Sequence, residues 1–476
     1  GGIGVGADVD MGVGDGVQCD FEKVFGMYYG IRAGALMVRK LLTGPVTDAF
    51  GYYVHRCLQA CVVGQLGLQL TLFLGHWENA WVVIGIQMVL GTLNIQAQTC
   101  VLKVLKLHLD QKMPGMPDDQ HVVINKLEAI GEGLATAFIA VATFAAYMLA
   151  TRGGVAFGAV QWLVFGVSLA FTVTTLALSS TIDYQFIAPS VVDTSASAVN
   201  GPLATQPLLS YQSLSSAASV EPVSGLRYLI DGVKVLFGSP ILVFSSSIYL
   251  VAFLYQYVIY VTLTLSESEK HSSSTTIKTR ENYCGGVISN LFLQAAILNV
   301  VYLVGSALYT VILAPMKAHV FFSFALPVLA ALLGGATFSL SAELTSLESS
   351  FALAVLSFAS FAIYLYCQNL GLATVPHEFI GIFWSFLGVV GSALLFVPSA
   401  FTTYGVAVMT VIIFSAGCMA LVGLLSIAFV AVAGSSLKNL SHAPDLDLFA
   451  SVGSVTYAAR TESVVDSATY NNVFEQ

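Results

Sequence analysis

Residues 404–434 read YGVAVMTVIIFSAGCMALVGLLSIAFVAVAG, a stretch from Tyr404 to Gly434 without one charged side chain. A helix needs ~20 mostly apolar residues to cross a bilayer, and this run is long enough. Ten further runs of the same kind lie near 24–43, 54–75, 79–105, 123–150, 156–182, 235–264, 286–314, 319–341, 350–372 and 376–400. They account for a composition of 56% apolar and 9% charged residues and a mean hydropathy of +0.81. Soluble domains carry ~25% charged residues. The runs are also too long and continuous for the ~10-residue alternating strands of a membrane barrel. The predicted fold class is all-α, a polytopic membrane protein.

That composition excludes a cytosolic enzyme, a nucleic-acid binder and a disordered scaffold. A net charge of −9 offers no basic face for a phosphate backbone. The seven cysteines form no paired CxxC metal site and no disulfide framework. No G-x-S-x-G, HExxH, Walker loop or dinucleotide fingerprint stands in its required context. The reading is therefore no enzyme, no cofactor and no resident metal. The partners expected are the lipid bilayer and a small-molecule or ion substrate.

Five spans precede a Ser-, Ala-, Pro- and Thr-rich stretch at 183–226, and six follow it. The predicted organisation is a Gly/Asp-rich segment at 1–22, a helical half at 23–182, a flexible linker at 183–226, a second half at 227–434 and a tail at 435–476. An odd span count with five before the linker favours a fragment that has lost a first helix. Placing the 44–56 loop in the cytoplasm puts twelve of the eighteen Lys and Arg residues inside and five outside. The linker and tail are then cytoplasmic, in a plasma or organelle membrane. Tyr211-Gln-Ser-Leu214 in the linker fits a tyrosine-based sorting signal.

After the first visible span comes Gly44-Pro-Val-Thr-Asp48-Ala-Phe-Gly51-Tyr-Tyr-Val-His-Arg56. It resembles the loop signature of the major facilitator superfamily, G-x-x-x-D-x-x-G followed by basic residues, with the basic cluster thinned to His55 and Arg56. The resemblance implies two six-helix halves rocking about a midplane site, with Asp48 and Arg56 in the conformational change. Finer details resemble the ferroportin family: Tyr29-Gly30, Ala33-Gly34, Asn125-Lys126-Leu127-Glu128, Ser239-Pro240 and Pro376-His377-Glu378. The metal-binding residues of that family are not matched, since Tyr255-Gln256-Tyr257 stands where its seventh-helix Cys belongs.

Polar residues at helical spacing inside apolar runs mark faces turned from lipid. Gln87, Gly91, Asn94 and Gln98 share one face, as do Tyr249, Gln256 and Tyr260, and Ser357, Ser360, Tyr364 and Gln368. With a first helix restored these spans are the fourth, seventh and tenth, which the resemblance places around the central cavity. The expected solute-binding residues are Gln87, Asn94, Gln98, Gln256, Tyr260, Tyr364 and Gln368. Amides and phenols suit an organic solute at least as well as a metal ion. Glu128 and Glu132 share a face of the fifth helix. A carboxylate at mid-bilayer costs ~3 kcal/mol, so Glu132 should pair or take up a proton, which would make it the coupling group. The alternative is that both carboxylates lie at the cytoplasmic mouth, with Glu128 paired to a neighbouring Lys or Arg. Arg32, deep in the first visible span, awaits an acidic partner or an anionic solute. The alternative function is a transport-inactive subunit or anchor of a larger membrane complex.

Overall fold

The computed structural model describes residues 21–50, 54–74, 80–113, 116–151, 157–181, 225–272, 280–340 and 347–440. Among them every regular element is helical. The first half holds α1 (Phe21–Ala49), α2 (Val54–Leu74), α3 (Ala80–Lys112), α4 (Pro117–Thr151) and α5 (Phe157–Thr181). The second holds α6 (Gly225–Gly238), α7 (Pro240–Ser272), α8 (Arg280–Ile312), α9 (Ala318–Ser339), α10 (Leu347–Thr374), α11 (Ile380–Leu394), α12 (Phe396–Thr403) and α13 (Val408–Asn439). Among the described residues, eight stretches are long and apolar enough to cross a membrane. The protein is a polytopic all-α bundle.

Each of the eleven expected spans coincides with a long helix, α11 and α12 together forming one. Several boundaries move. The 44–56 segment is a turn only in part, because α1 continues through Pro45 to Ala49. A mid-helix proline removes one amide donor. Here threonine hydroxyls bond back along the helix, Thr47 to the carbonyl of Thr43 at 3.0 Å. The span expected at 123–150 begins earlier, at Pro117, with Asp118 and Asp119 in its first turn where the helix dipole favours anions. Helix α6 begins inside the expected linker. Its signal was legible: Leu226, Leu229, Ile230, Val233 and Phe237 recur at helical spacing while Arg227, Asp231 and Lys234 fall elsewhere. Segment 1–20, most of the linker with its Tyr211–Leu214 motif, and the tail beyond 440 lie outside the described residues.

The two halves meet along two seams. In one, α1 packs on α11 and α12; in the other, α4 packs on α8 and α10. The largest continuous core lies in the second half, where Tyr255, Phe321, Phe322, Tyr366, Phe383 and Phe429 are fully enclosed. Leu127, Ile130, Leu134, Phe138 and Val141 recur at helical spacing on α4 and stay exposed, as a lipid-facing stripe should. The α1–α11 seam is close enough for backbones to touch. A Cβ on Gly44 would overlap the carbonyl oxygen of Gly381 and the hydroxyl of Ser385, and a Cβ on Gly381 would overlap the carbonyl oxygen of Gly44. Gly34, on the same helix, has nothing within 4 Å of its would-be Cβ.

Gly44→Val is expected to wedge this seam and cost about 1–3 kcal/mol, the range for overpacked contacts. Gly34→Ala should be neutral or mildly stabilising, as alanine is the better helix former. Thermal midpoints of the two variants in one detergent decide it, and equal midpoints would rule out the close seam.

Candidate functional site

The turn between α10 and α11 is held by charged side chains from the first half. Asp48, in the last turn of α1, is buried with Lys103 of α3; their side chains are 1% and 2% exposed and 2.9 Å apart. Both carboxylate oxygens also accept from the start of α11: the amide of Gly381 donates to Oδ1 and that of Ile382 to Oδ2, each at 2.9 Å. Those amides lack intrahelical partners, and the helix dipole makes their end positive. A carboxylate there meets donors that no side chain of the second half needs to supply. Lys103 in turn donates to the carbonyls of Thr47 and Asp48 at 3.4 Å, the negative end of α1.

Two more termini are held in the same way. Lys106, one turn beyond Lys103 and also buried, donates to the carbonyl of Ala373 at the C-terminal end of α10 and to Oε1 of Gln120, both at 2.7 Å, and pairs with Asp110 at 2.9 Å. The amide of Ala318 at the start of α9 donates to Asp118 of α4 at 3.4 Å. Anions therefore sit at two helix N-termini and a cation at a C-terminus, each matched to the local dipole. His377, in the turn itself, lies 3.5 Å from both Asp110 and Glu378. Glu378 stands in the first turn of the short 377–379 helical segment that precedes α11. The carboxylate on α11's first amides is instead Asp48, because that turn packs directly against the end of α1.

Above this latch a polar chain crosses the α4–α8–α10 seam. Asn125 contacts His121 at 2.8 Å and accepts from Tyr309 and Asn369 at 2.9 Å each. Gln368 donates to Glu128 at 3.4 Å, and the second carboxylate oxygen of Glu128 is buried without a partner among the described residues. His121, Asn125, Glu128 and Glu132 form one stripe on α4, opposite its lipid-facing residues. Glu132 is exposed there, so that face opens onto space rather than onto another helix. His121 was missed in the sequence and Asn125 was read only as part of the Asn125–Glu128 resemblance, although both extend the Glu128–Glu132 spacing by two turns.

The structure scatters the other expected residues over three settings. Asn94 and Gln98 are exposed on α3 and hydrogen-bond no neighbouring helix among the described residues. Gln256 is buried and donates to Tyr302, whose hydroxyl lies 3.0 Å from that of Ser357, joining α7, α8 and α10. Tyr364 packs edge-on against Tyr249 and Phe361. Arg32 and Arg56 are exposed on α1 and α2. The side chains of Gln87 and Tyr260 lie outside the described residues. Cys57, Cys61 and Cys100 are buried together, with Gln96 donating to Cys57 and Cys100 at 3.6 Å. Among the described residues no three His, Cys, Asp or Glu side chains gather as a metal site.

No family model matches the chain, and no curated protein matches it. Among solved structures it is similar to the human organic anion transporter MFSD10 (TETRAN), at 13% identity over 84% of this chain and 83% of that one, with a TM-score of 0.47. It is also similar to a variant of the E. coli fucose:proton symporter FucP, at 13% identity over 86% and 92%, with a TM-score of 0.43. At these values the likeness shows neither a family nor a solute.

Removing one member of a buried ion pair costs about 3–5 kcal/mol. Lys103→Met is expected to fall at the low end, since two amides still face Asp48. The double variant Asp48→Asn/Lys103→Met should lose less than the two single losses combined, by about 0.5–3 kcal/mol. Unfolding midpoints in mixed micelles measure the cycle, and strict additivity would mean that the pair is not coupled.

Proposed function

We propose that the chain is a secondary transporter that moves a small solute by alternating access, its halves arranged as in the major facilitator superfamily. The observation that carries this reading is the latch, in which Asp48, Lys106 and Asp118 of the first half hold three helix termini of the second. Contacts between side chains and helix ends separate without tearing an interlocked apolar core, which suits an interface that opens in every cycle. On the latch side the halves are closed. Asn94, Gln98 and Glu132, farther along their helices, stay exposed. One closed side and one open side are what a transporter caught in one of its two states presents. With the 44–56 side in the cytoplasm, this state is open to the outside.

The seams support the same arrangement. Counted from α7, the second half presents its second helix (α8) and its fifth (α11–α12) across the interface. If α1 is counted as second in the first half, α4 is fifth, and the seams pair second with fifth and fifth with second. A two-fold axis along the membrane normal exchanges them, as it does in transporters built from parallel repeats. The ferroportin-like details are proposed as ancestry of the scaffold and not as metal export. Glu132 is the proposed proton carrier, being a carboxyl in a span with no cation within ion-pairing distance among the described residues.

Asp48→Asn removes the charge from the start of α11. A hydrogen bond to a charged group is worth about 1.5–3 kcal/mol, so amide exchange at Gly381 and Ile382 should quicken about tenfold or more in nanodiscs. Unchanged protection would count against a gate at this turn. Glu132→Gln should abolish pH-driven uptake in proteoliposomes while sparing counterflow exchange. Equal loss of both would assign Glu132 to folding or binding.

A further inference from the structure

One partly exposed cation on α1, wedged against α3, has no counter-charge among the described residues. Arg39 lies nine residues before Asp48 on α1, about 13 Å along a helix rising 1.5 Å per residue. Helical side chains lean toward the N-terminus, so its guanidinium sits deeper still, away from the latch and toward mid-span. It turns toward α3 rather than onto the apolar face that carries Ile31, Val38 and Leu42. Among the described residues its hydrogen-bond partner there is the Met88 thioether, 3.0 Å from Nη2. Nε is buried with no partner among the described residues. No Asp or Glu lies within 4.0 Å of it among them.

A thioether is a weak acceptor and carries no charge. It does not offset a guanidinium at this depth, where a charge costs ~3 kcal/mol even on the gentlest insertion scales. The neighbouring cations also lack a counter-charge among the described residues. Arg32 lies two turns away on the same face, and Lys40 sits over the ring of Trp384, its ammonium 4.3 Å from the centroid. Opposite Arg39 stands Gly91, where even a methyl group would collide with the guanidinium. Gly91 belongs to the α3 stripe whose Asn94 and Gln98 are exposed, with no hydrogen-bond partner on a neighbouring helix among the described residues. The site therefore combines a five-donor planar cation, a notch that leaves it room and two exposed amides on one helix face.

We propose that Arg39, with Arg32 beside it, binds the carboxylate of a small organic anion, and that this anion is the transported solute. The guanidinium fork matches a carboxylate in bidentate geometry, and the α3 amides are placed to take the polar groups of its body. The substrate assignment rests on the transporter reading above. The binding site does not. A phospholipid headgroup offers similar chemistry but belongs at the membrane surface, whereas Arg39 is set back from the latch side by more than two turns of helix.

The test is the thermal midpoint of the purified full chain in detergent with added phosphatidylcholine, at constant ionic strength. Aliphatic and aromatic monocarboxylates of two to ten carbons are compared with their amides. At least one carboxylate should raise the midpoint where its amide does not, as ligands of the native state do. Arg39→Gln should weaken its apparent affinity at least tenfold, and Arg39→Lys should restore part of it. Gly91→Ala, which displaces the guanidinium and keeps every charge, should weaken it several-fold and covers the case in which Arg39→Gln fails to fold. The proposal is overturned if no carboxylate acts, if amides act equally, or if the effect survives both Arg39→Gln and Gly91→Ala. It is also overturned if phosphatidylglycerol alone gives an Arg39-dependent shift, which would assign the site to lipid. Altered exchange at α11 in Asp48→Asn without any carboxylate effect keeps the transporter and removes the anion. The converse keeps an anion site and removes the gate.

Discussion

A carboxylate buried between an ammonium and two open amides is the constraint around which this bundle closes. Asp48 can be dehydrated only because Lys103 and the amides of Gly381 and Ile382 together replace its water, and each of those partners comes with its own helix attached. The pair draws α3 against the end of α1, and the amides draw α11 against both. Glycines at 44 and 381 then permit the approach that 2.9 Å hydrogen bonds demand. Larger residues at either position would hold the helices apart and leave a desolvated charge without its donors, a costly state in a low-dielectric interior.

The same logic divides the molecule by depth. At the latch, charges meet helix ends and the structure is shut. Farther along, the polar groups are amides, phenols and two glutamates, and several keep unpaired atoms or exposed faces. Unsatisfied hydrogen-bonding capacity inside a membrane protein favours whatever completes it, and in a bundle of this shape that is water or a solute. The glutamates of α4 and the arginines of α1 lie on helices that do not pack extensively on one another.

Much of this was legible in the sequence. Span positions follow from hydropathy alone because a bilayer imposes one minimum length on every crossing helix, and Asp48 was marked by the glycines around it. The role of Lys103 and Lys106 was not legible. Both read as ordinary basic residues near a helix end, and only the fold brings them to α1 and α10. Pairings of this kind depend on which terminus lies opposite, and terminal amides and carbonyls carry no side-chain signature. Gln256 illustrates the reverse error of resolution. Its spacing with Tyr249 is as regular as that of Asn94 with Gln98, yet the first pair is enclosed by neighbouring helices while the second stays open. Periodicity identifies a face but not what stands in front of it. Helix α6 carries a legible helical spacing, but the low-complexity composition of the stretch before it drew the boundary of the linker too far along the chain.

The three held termini belong to the second half, and the groups holding them belong to the first. Main-chain amides and carbonyls are the same whatever residue bears them. The turn from α10 to α11 can therefore change most of its side chains and still present the same donors and acceptor, whereas Asp48, Lys106 and Asp118 must each keep both charge and reach. Tolerance to substitution is thus unevenly divided across one interface. The half that is gripped is free to vary, and the half that grips is not.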